Sequence, residues 1–237
     1  MLAVVVGVLI GMVGVGGVLL PPGLVALGDL TANEATATST WAFVFTGVVG
    51  TIAYAWRGVV PWGMFARLAV GVVPAAFLGA LINATLPASV VLVGLAALTL
   101  FVGVQQLRPG TLRESRAELG TPVLVAVGAF VGFGSALTGT GGPVLLVPVL
   151  LTLGTAPLRA VAVSQAVQLP VVVAGSVGYL QTGLIDFRLG TALGCFAALG
   201  VVVGAIVATR INAEGLRRIV AMACLAAGVF LLVRAVV

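Results

Sequence analysis

Gly14, Gly16 and Gly17 recur 125 residues later as Gly139, Gly141 and Gly142. The same offset carries Ala35, Ala37 and Ser39 onto Ala160, Ala162 and Ser164, and Gly50, Tyr54 and Gly58 onto Gly175, Tyr179 and Gly183. It also relates Gly79 and Gly103 to Gly204 and Gly228. Apolar chains share Val, Leu and Ala by chance, but not an ungapped register of Gly, Tyr and Ser. The fold must therefore be built from two copies of one unit. The halves are 1–107 and 122–237. They are joined at 108–121, where Arg108, Arg113, Glu114, Arg116 and Glu118 form the densest charge in the chain and read as a short aqueous loop.

Each half holds four apolar elements: Met1–Gly28, Thr31–Trp56, Pro61–Ile82 and Pro87–Leu107, then Pro122–Gly154, Pro157–Leu180, Asp186–Thr209 and Glu214–Val237. Soluble domains carry about 25% charged residues; here the share is 7%, against 61% hydrophobic. Runs of roughly 20 apolar residues cross the hydrocarbon of a bilayer as helices, and the period-two alternation of a barrel is absent. An all-α polytopic membrane protein follows, with lipid as its main solvent. The first element lacks a basic n-region and a cleavage site and has an internal repeat mate, so it reads as part of the fold. The net charge of +5 comes entirely from arginines scattered singly in short loops, which fits membrane orientation rather than nucleic acid. Cys195 and Cys224 lie in separate apolar segments without metal spacing.

Charge also bears on how the halves are oriented. If all eight elements cross, the halves are parallel. One face then holds Arg57, Arg67, Arg108, Arg113, Arg116, Arg188 and Arg234, and the other Arg159, Arg210, Arg217 and Arg218. If the first element of each half enters and returns on one side, each half crosses three times and the halves are inverted. Only Arg188 and Arg234 then stand apart from the other arginines, with Asp29, Glu34 and Asp186 on the Arg-poor face. The positive-inside rule prefers this arrangement and puts the 108–121 loop in the cytoplasm. Inverted repeats are a common transporter architecture. "GMVGVGG" (11–17) and "LTGTGGP" (137–143) become the tips of two re-entrant broken helices, with Pro122–Leu137 and Pro143–Gly154 each too short to span. Glycine suits such tips because it accepts positive φ and lets a backbone or ligand come close. Tight helix packing is the competing account of these glycines, and the better one for the scattered Gly50, Gly79, Gly103 and their mates.

A helix that starts inside the membrane presents free N–H groups and the positive end of its dipole. Two such ends would hold an anion without a buried Arg. The candidate substrate-binding residues are the tip residues Gly14, Gly16, Gly17, Thr138, Gly139, Thr140, Gly141 and Gly142. To these the second element of each half adds Thr38, Ser39 and Thr40, and Ser164, Gln165 and Gln168. Gln165 and Gln168, three apart, share a helix face and point to a cavity or another helix. Thr hydroxyls often bond only their own i−4 carbonyl, and Asn33 suits a helix cap. Glu34 is the one carboxylate available for a proton relay. No P-loop lysine follows either glycine cluster, and no nucleophile–base pair or metal cluster is visible, so an enzyme is not expected.

With "GVGGVLLPP" and "GTGGPVLLVPVL" each opening a half, and "ATATS" and "AVAVSQ" following them, the chain resembles the sulfite exporter TauE/SafE family, the TSUP transporters. Where that family carries a third consecutive glycine, Val18 and Pro143 stand here. The resemblance implies a multi-pass permease of the prokaryotic inner membrane for small sulfur-containing anions: sulfite, thiosulfate, sulfonate or sulfoacetate. It implies no bound cofactor. An anion channel, a permease for another small organic anion and an assembly subunit are the alternatives. The anion, the direction of transport, the coupling ion and the oligomeric state, a homo-oligomer included, stay open.

Overall fold

The computed structural model describes residues 2–13, 16–27, 30–107, 119–207 and 213–236, all helices and short turns. In the first half, α1 (Leu2–Val13) is followed by a 3-10 turn (Gly16–Leu19), α2 (Leu20–Leu27), α3 (Ala32–Trp56), α4 (Trp62–Thr85) and α5 (Ala88–Leu107). The second half repeats the order as α6 (Thr121–Thr138), α7 (Pro143–Thr152), α8 (Pro157–Leu180), α9 (Phe187–Val207) and α10 (Ala213–Val236). Six of these are long and apolar enough to cross a membrane: α3, α4, α5, α6, α8 and α9. α10 is equally long, but its apolar stretch among the described residues is Cys224–Ala235. Large apolar side chains face outward along the spans, among them Val70, Phe130 and Leu199, as lipid contact requires. Trp56 and Trp62 are exposed where α3 hands over to α4, the depth at which interfacial aromatics gather.

The start of α3 shows why a helix begins where it does. Thr31 and Glu34 form a capping box: the Glu34 amide donates to Thr31 Oγ1 at 3.3 Å, and the Thr31 amide donates to Glu34 Oε2 at 2.9 Å. Two orphan amides are satisfied reciprocally. This corrects the expectation for Asn33, which is not the cap of α3. It also accounts for Glu34, whose carboxylate is held at the helix start.

Helix crossings repeat under exchange of the two halves. A Cβ on Gly132 of α6 would lie 2.6 Å from the carbonyl oxygen of Val72 on α4. Gly7 of α1, its mate, meets the carbonyl of Ala197 on α9, the mate of Val72. Gly79 against Phe133 is matched by Gly204 against Val8, and Gly103 against Leu225 by Gly228 against Leu100. Glycine here removes the Cβ that would hold two backbones apart.

Mate helices pack antiparallel. Along α3, Thr40 meets Gly175, Gly47 meets Gln168 and Leu169, and Gly50 meets Gln165, so contacts descend α8 as they ascend α3. This register is consistent with inverted halves. α4 and α6 instead run parallel, Leu68 beside Gly128 and Asn83 beside Leu137. Hence α6 starts on the side of the 57–61 loop. α8 starts on that side too, since Val60 packs with Ala162 and Ala166. The α6–α7 pair enters and leaves on one side of the helical layer.

A second expectation needs correction. α6 is not too short to span: at about 1.5 Å per residue its 18 residues reach roughly 27 Å, because it follows α4 along nearly its whole length. Only α7, with 10 residues, is of half-membrane length. The hairpin is lopsided, with a long inward arm and a short return.

Candidate functional site

α6 ends in the protein interior, where its last carbonyls have no water to bond. Gly139 turns the chain with φ +65° and its amide donates to the Ser135 carbonyl, which also accepts from the Thr140 amide at 3.2 Å. The Tyr179 hydroxyl donates to the Ala136 carbonyl at 2.6 Å, and Asn83 Nδ2 donates to the Leu137 carbonyl at 2.7 Å. Asn33 Nδ2 donates in turn to the Asn83 carbonyl at 2.6 Å. Asn33, Asn83 and Tyr179 thus form a clamp on the helix end. The first hairpin has no such amides to hold it: Leu158 and Ala208 of the second half are the repeat mates of Asn33 and Asn83. Sequence reasoning missed this clamp. Its legible traces were Tyr179, visible only as a repeat marker, and Asn33, read as a helix cap.

From Gly139, packed on Thr36 near the start of α3, the chain runs through Thr140, Gly141 (φ +81°) and Gly142 (φ +101°) to the start of α7. Gly141 lies against the Phe43 ring and the Gln168 amide, and Gly142 against Val171 and Gln168. Phe43 and Gln168 are repeat mates near the mid-lengths of α3 and α8, so the turn climbs back to the middle of the bundle. Pro143 has no amide to lose and suits the first position of α7. Among the described residues no hydrogen bond engages the amides of Gly141, Gly142 and Val144.

The first tip reaches the same point. A Cβ on Gly17 would come 2.9 Å from the Thr140 carbonyl oxygen and 3.3 Å from the Phe43 ring. Gly17 and Gly141 therefore meet at one ring, with Thr140 against Gly17 and Gln168 against Gly141 and Gly142. Gly16 is not: its open side faces Val6, Leu9 and Ile10 of α1. Gly14 lies outside the described residues.

The remaining candidates divide. Ser39 and Ser164, repeat mates, are fully buried, and neither hydroxyl has a partner among the described residues. Each sits four residues before Phe43 or Gln168 and so shares its helix face. Thr38 faces away, its hydroxyl accepting from the Asp186 amide at 3.1 Å. Thr40 and Thr138 bond their own i−4 carbonyls, Thr36 and Gly134. Thr138 Oγ1 also lies 3.2 Å from that of Thr140. Gln165 lies over Gly50 of α3, with its Oε1 unpartnered. Sequence reasoning also missed Phe43 and Thr46, since an aromatic and a threonine in an apolar helix carry no signal of their own.

The family model described as "Sulfite exporter TauE/SafE" matches residues 1–231. The chain belongs to this family. The glycine turns are thus features of a TauE/SafE membrane transporter, and its helices are built for a lipid bilayer. Among curated proteins, the chain is similar to the "Probable membrane transporter protein YunE" of Bacillus subtilis (strain 168). The two are 26% identical, over 80% of this chain and 81% of that protein. No solved structure matches this TauE/SafE chain.

Proposed function

We propose that the chain is a secondary transporter that binds one small sulfur-containing anion, of sulfite, thiosulfate, sulfonate or sulfoacetate type, between its two glycine turns. It alternates access by moving one half (1–107) against an inverted second (122–237). The contact of Gly17 with Thr140, beside the bare amides of Gly141, Gly142 and Val144, carries the reading. Amides aimed inward at the start of a helix favour an anion, and none of the described arginine side chains is buried there to compete. The test is flux of sulfite and thiosulfate into proteoliposomes. Saturation at low concentration supports a carrier; flux that stays linear makes the protein a channel.

The orientation follows from charge. Arg57, Arg67 and Arg159 share one end of the bundle, and Glu34, Asp186, Arg188 and Arg234 the other, where Arg234 donates to the carbonyl of Val25 at the close of α2. The Arg-rich end, with the 108–121 loop, is cytoplasmic in the cell's inner membrane. Single cysteines test this in a chain whose Cys195 and Cys224 are replaced by alanine. In intact cells a membrane-impermeant maleimide should label Gln181→Cys and leave Arg57→Cys unlabelled until the cells are opened. Equal labelling of both would reject the inverted topology.

A further inference from the structure

Gln168 is 2% exposed and lies in the middle of α8. Its Nε2 donates to Thr46 Oγ1 at 2.8 Å and, more weakly, to the Phe43 carbonyl at 3.4 Å. The neighbours decide which end of this amide is nitrogen. Thr46 gives its single hydroxyl proton to the Phe43 carbonyl at 3.2 Å, so towards Gln168 it can only accept. A carbonyl likewise only accepts. Both partners demand the N–H end, which leaves Oε1 turned the other way, buried and without a partner among the described residues. A Cβ on Gly141 would come 3.6 Å from that amide's nitrogen.

Around this point the donors outnumber the acceptors. Among the described residues the amides of Gly141, Gly142 and Val144 and the hydroxyls of Ser39 and Ser164 are open, and nothing fills the acceptor Gln168 Oε1. No described arginine brings a full positive charge to this point: Arg57, Arg159, Arg188, Arg218 and Arg234 are exposed, and Arg67 is partly so. Helix ends offer only about half a charge each, and the desolvation of an ion rises steeply with its charge.

From this set of groups, and resting on the reading that the turns hold the substrate, we infer that Gln168 selects the ligand by charge and by hydrogen. The site takes a small monoanion that carries at least one polar hydrogen, donated to Gln168 Oε1. It rejects dianions that have no hydrogen to give, which narrows the anions proposed above to hydrogensulfite and, more weakly, simple sulfonates, and leaves out thiosulfate and sulfoacetate. A dianion would double the uncompensated charge and aim a lone pair at the amide oxygen.

Three tetrahedral probes of similar size separate these terms. Sulfamate is a monoanion with N–H groups, methanesulfonate is a monoanion without a donor, and sulfate is a dianion without one. Binding to the full chain by calorimetry, and inhibition of flux in proteoliposomes, should rank sulfamate first and methanesulfonate about tenfold weaker, the effect of one buried acceptor left unmet. Sulfate should come last. In Gln168→Met the gap between sulfamate and methanesulfonate should close to within about twofold while both still bind. Where that variant does not fold, Thr46→Val serves: it removes the group that orients the amide, and the preference should fall several-fold. Equal binding of the two monoanions by the unaltered protein would overturn the inference and leave the site between the turns intact. So would a preference unchanged in either variant. Failure of all three anions to bind or inhibit would overturn the site itself, and this inference with it.

Discussion

Gly141→Leu is expected to reduce anion flux to that of protein-free liposomes while the protein still inserts. Two effects combine at this position. The backbone has φ +81°, which costs an L-residue about 1–2 kcal/mol, and a Cβ would already stand 3.0 Å from the Phe43 ring. The rest of a leucine must then occupy the space between the two turns. Gly17→Leu should have the same outcome from the other half, because its Cβ would press on the Thr140 carbonyl. Gly58→Ala separates strain from occlusion: its φ is +65°, yet nothing lies within 4 Å of the added carbon. It should transport normally. If both leucine variants match the unaltered chain in flux, the turns are not where the anion binds.

The double variant Asn83→Leu with Tyr179→Phe is expected to lower the melting midpoint in detergent on the order of 5 °C or more. Each change strips a partner from a carbonyl at the buried end of α6, Leu137 for one and Ala136 for the other. An interior acceptor left unmet costs about 1–3 kcal/mol, and about 1 kcal/mol moves the midpoint of a chain this size by 2–4 °C. The two effects need not add, since both act on one helix end. Flux should fall as well, because the turn that carries Gly141 hangs from this end. An unshifted midpoint would show that Gly139 and Thr140 close the helix without help.

This clamp also gives the two hairpins different footing. The second is held by Asn33, Asn83 and Tyr179, while the first has Leu158 and Ala208 at the positions equivalent to the two asparagines. The offset that unites the halves so plainly at Gly, Tyr and Ser hides this difference, because a repeat is recognised by what its copies share.

Where reading the chain went astray, a tertiary partner was responsible. α6 was expected to stop short of a span, yet Gly128 and Gly132 let it run against α4 to the level of Asn83. Gly16 and Gly17 read alike as tip residues; one faces α1 and the other the opposite turn. Asn33 read as a cap lies two positions beyond the true one, Thr31, and reaches α4 instead.

The chain's own order of residues determined that it lives in lipid, that it is made of two like halves, and where its helices break. Scarcity of charge, an ungapped offset and clustered glycine each act locally, so they can be read without a partner in view. Only the packed structure decided that mate helices run antiparallel, that Gly17 meets Thr140, and that Gln168 is left with an unfilled oxygen. Those facts depend on contacts between residues more than a hundred positions apart. Hydropathy and spacing describe a helix face, but not what comes to rest against it.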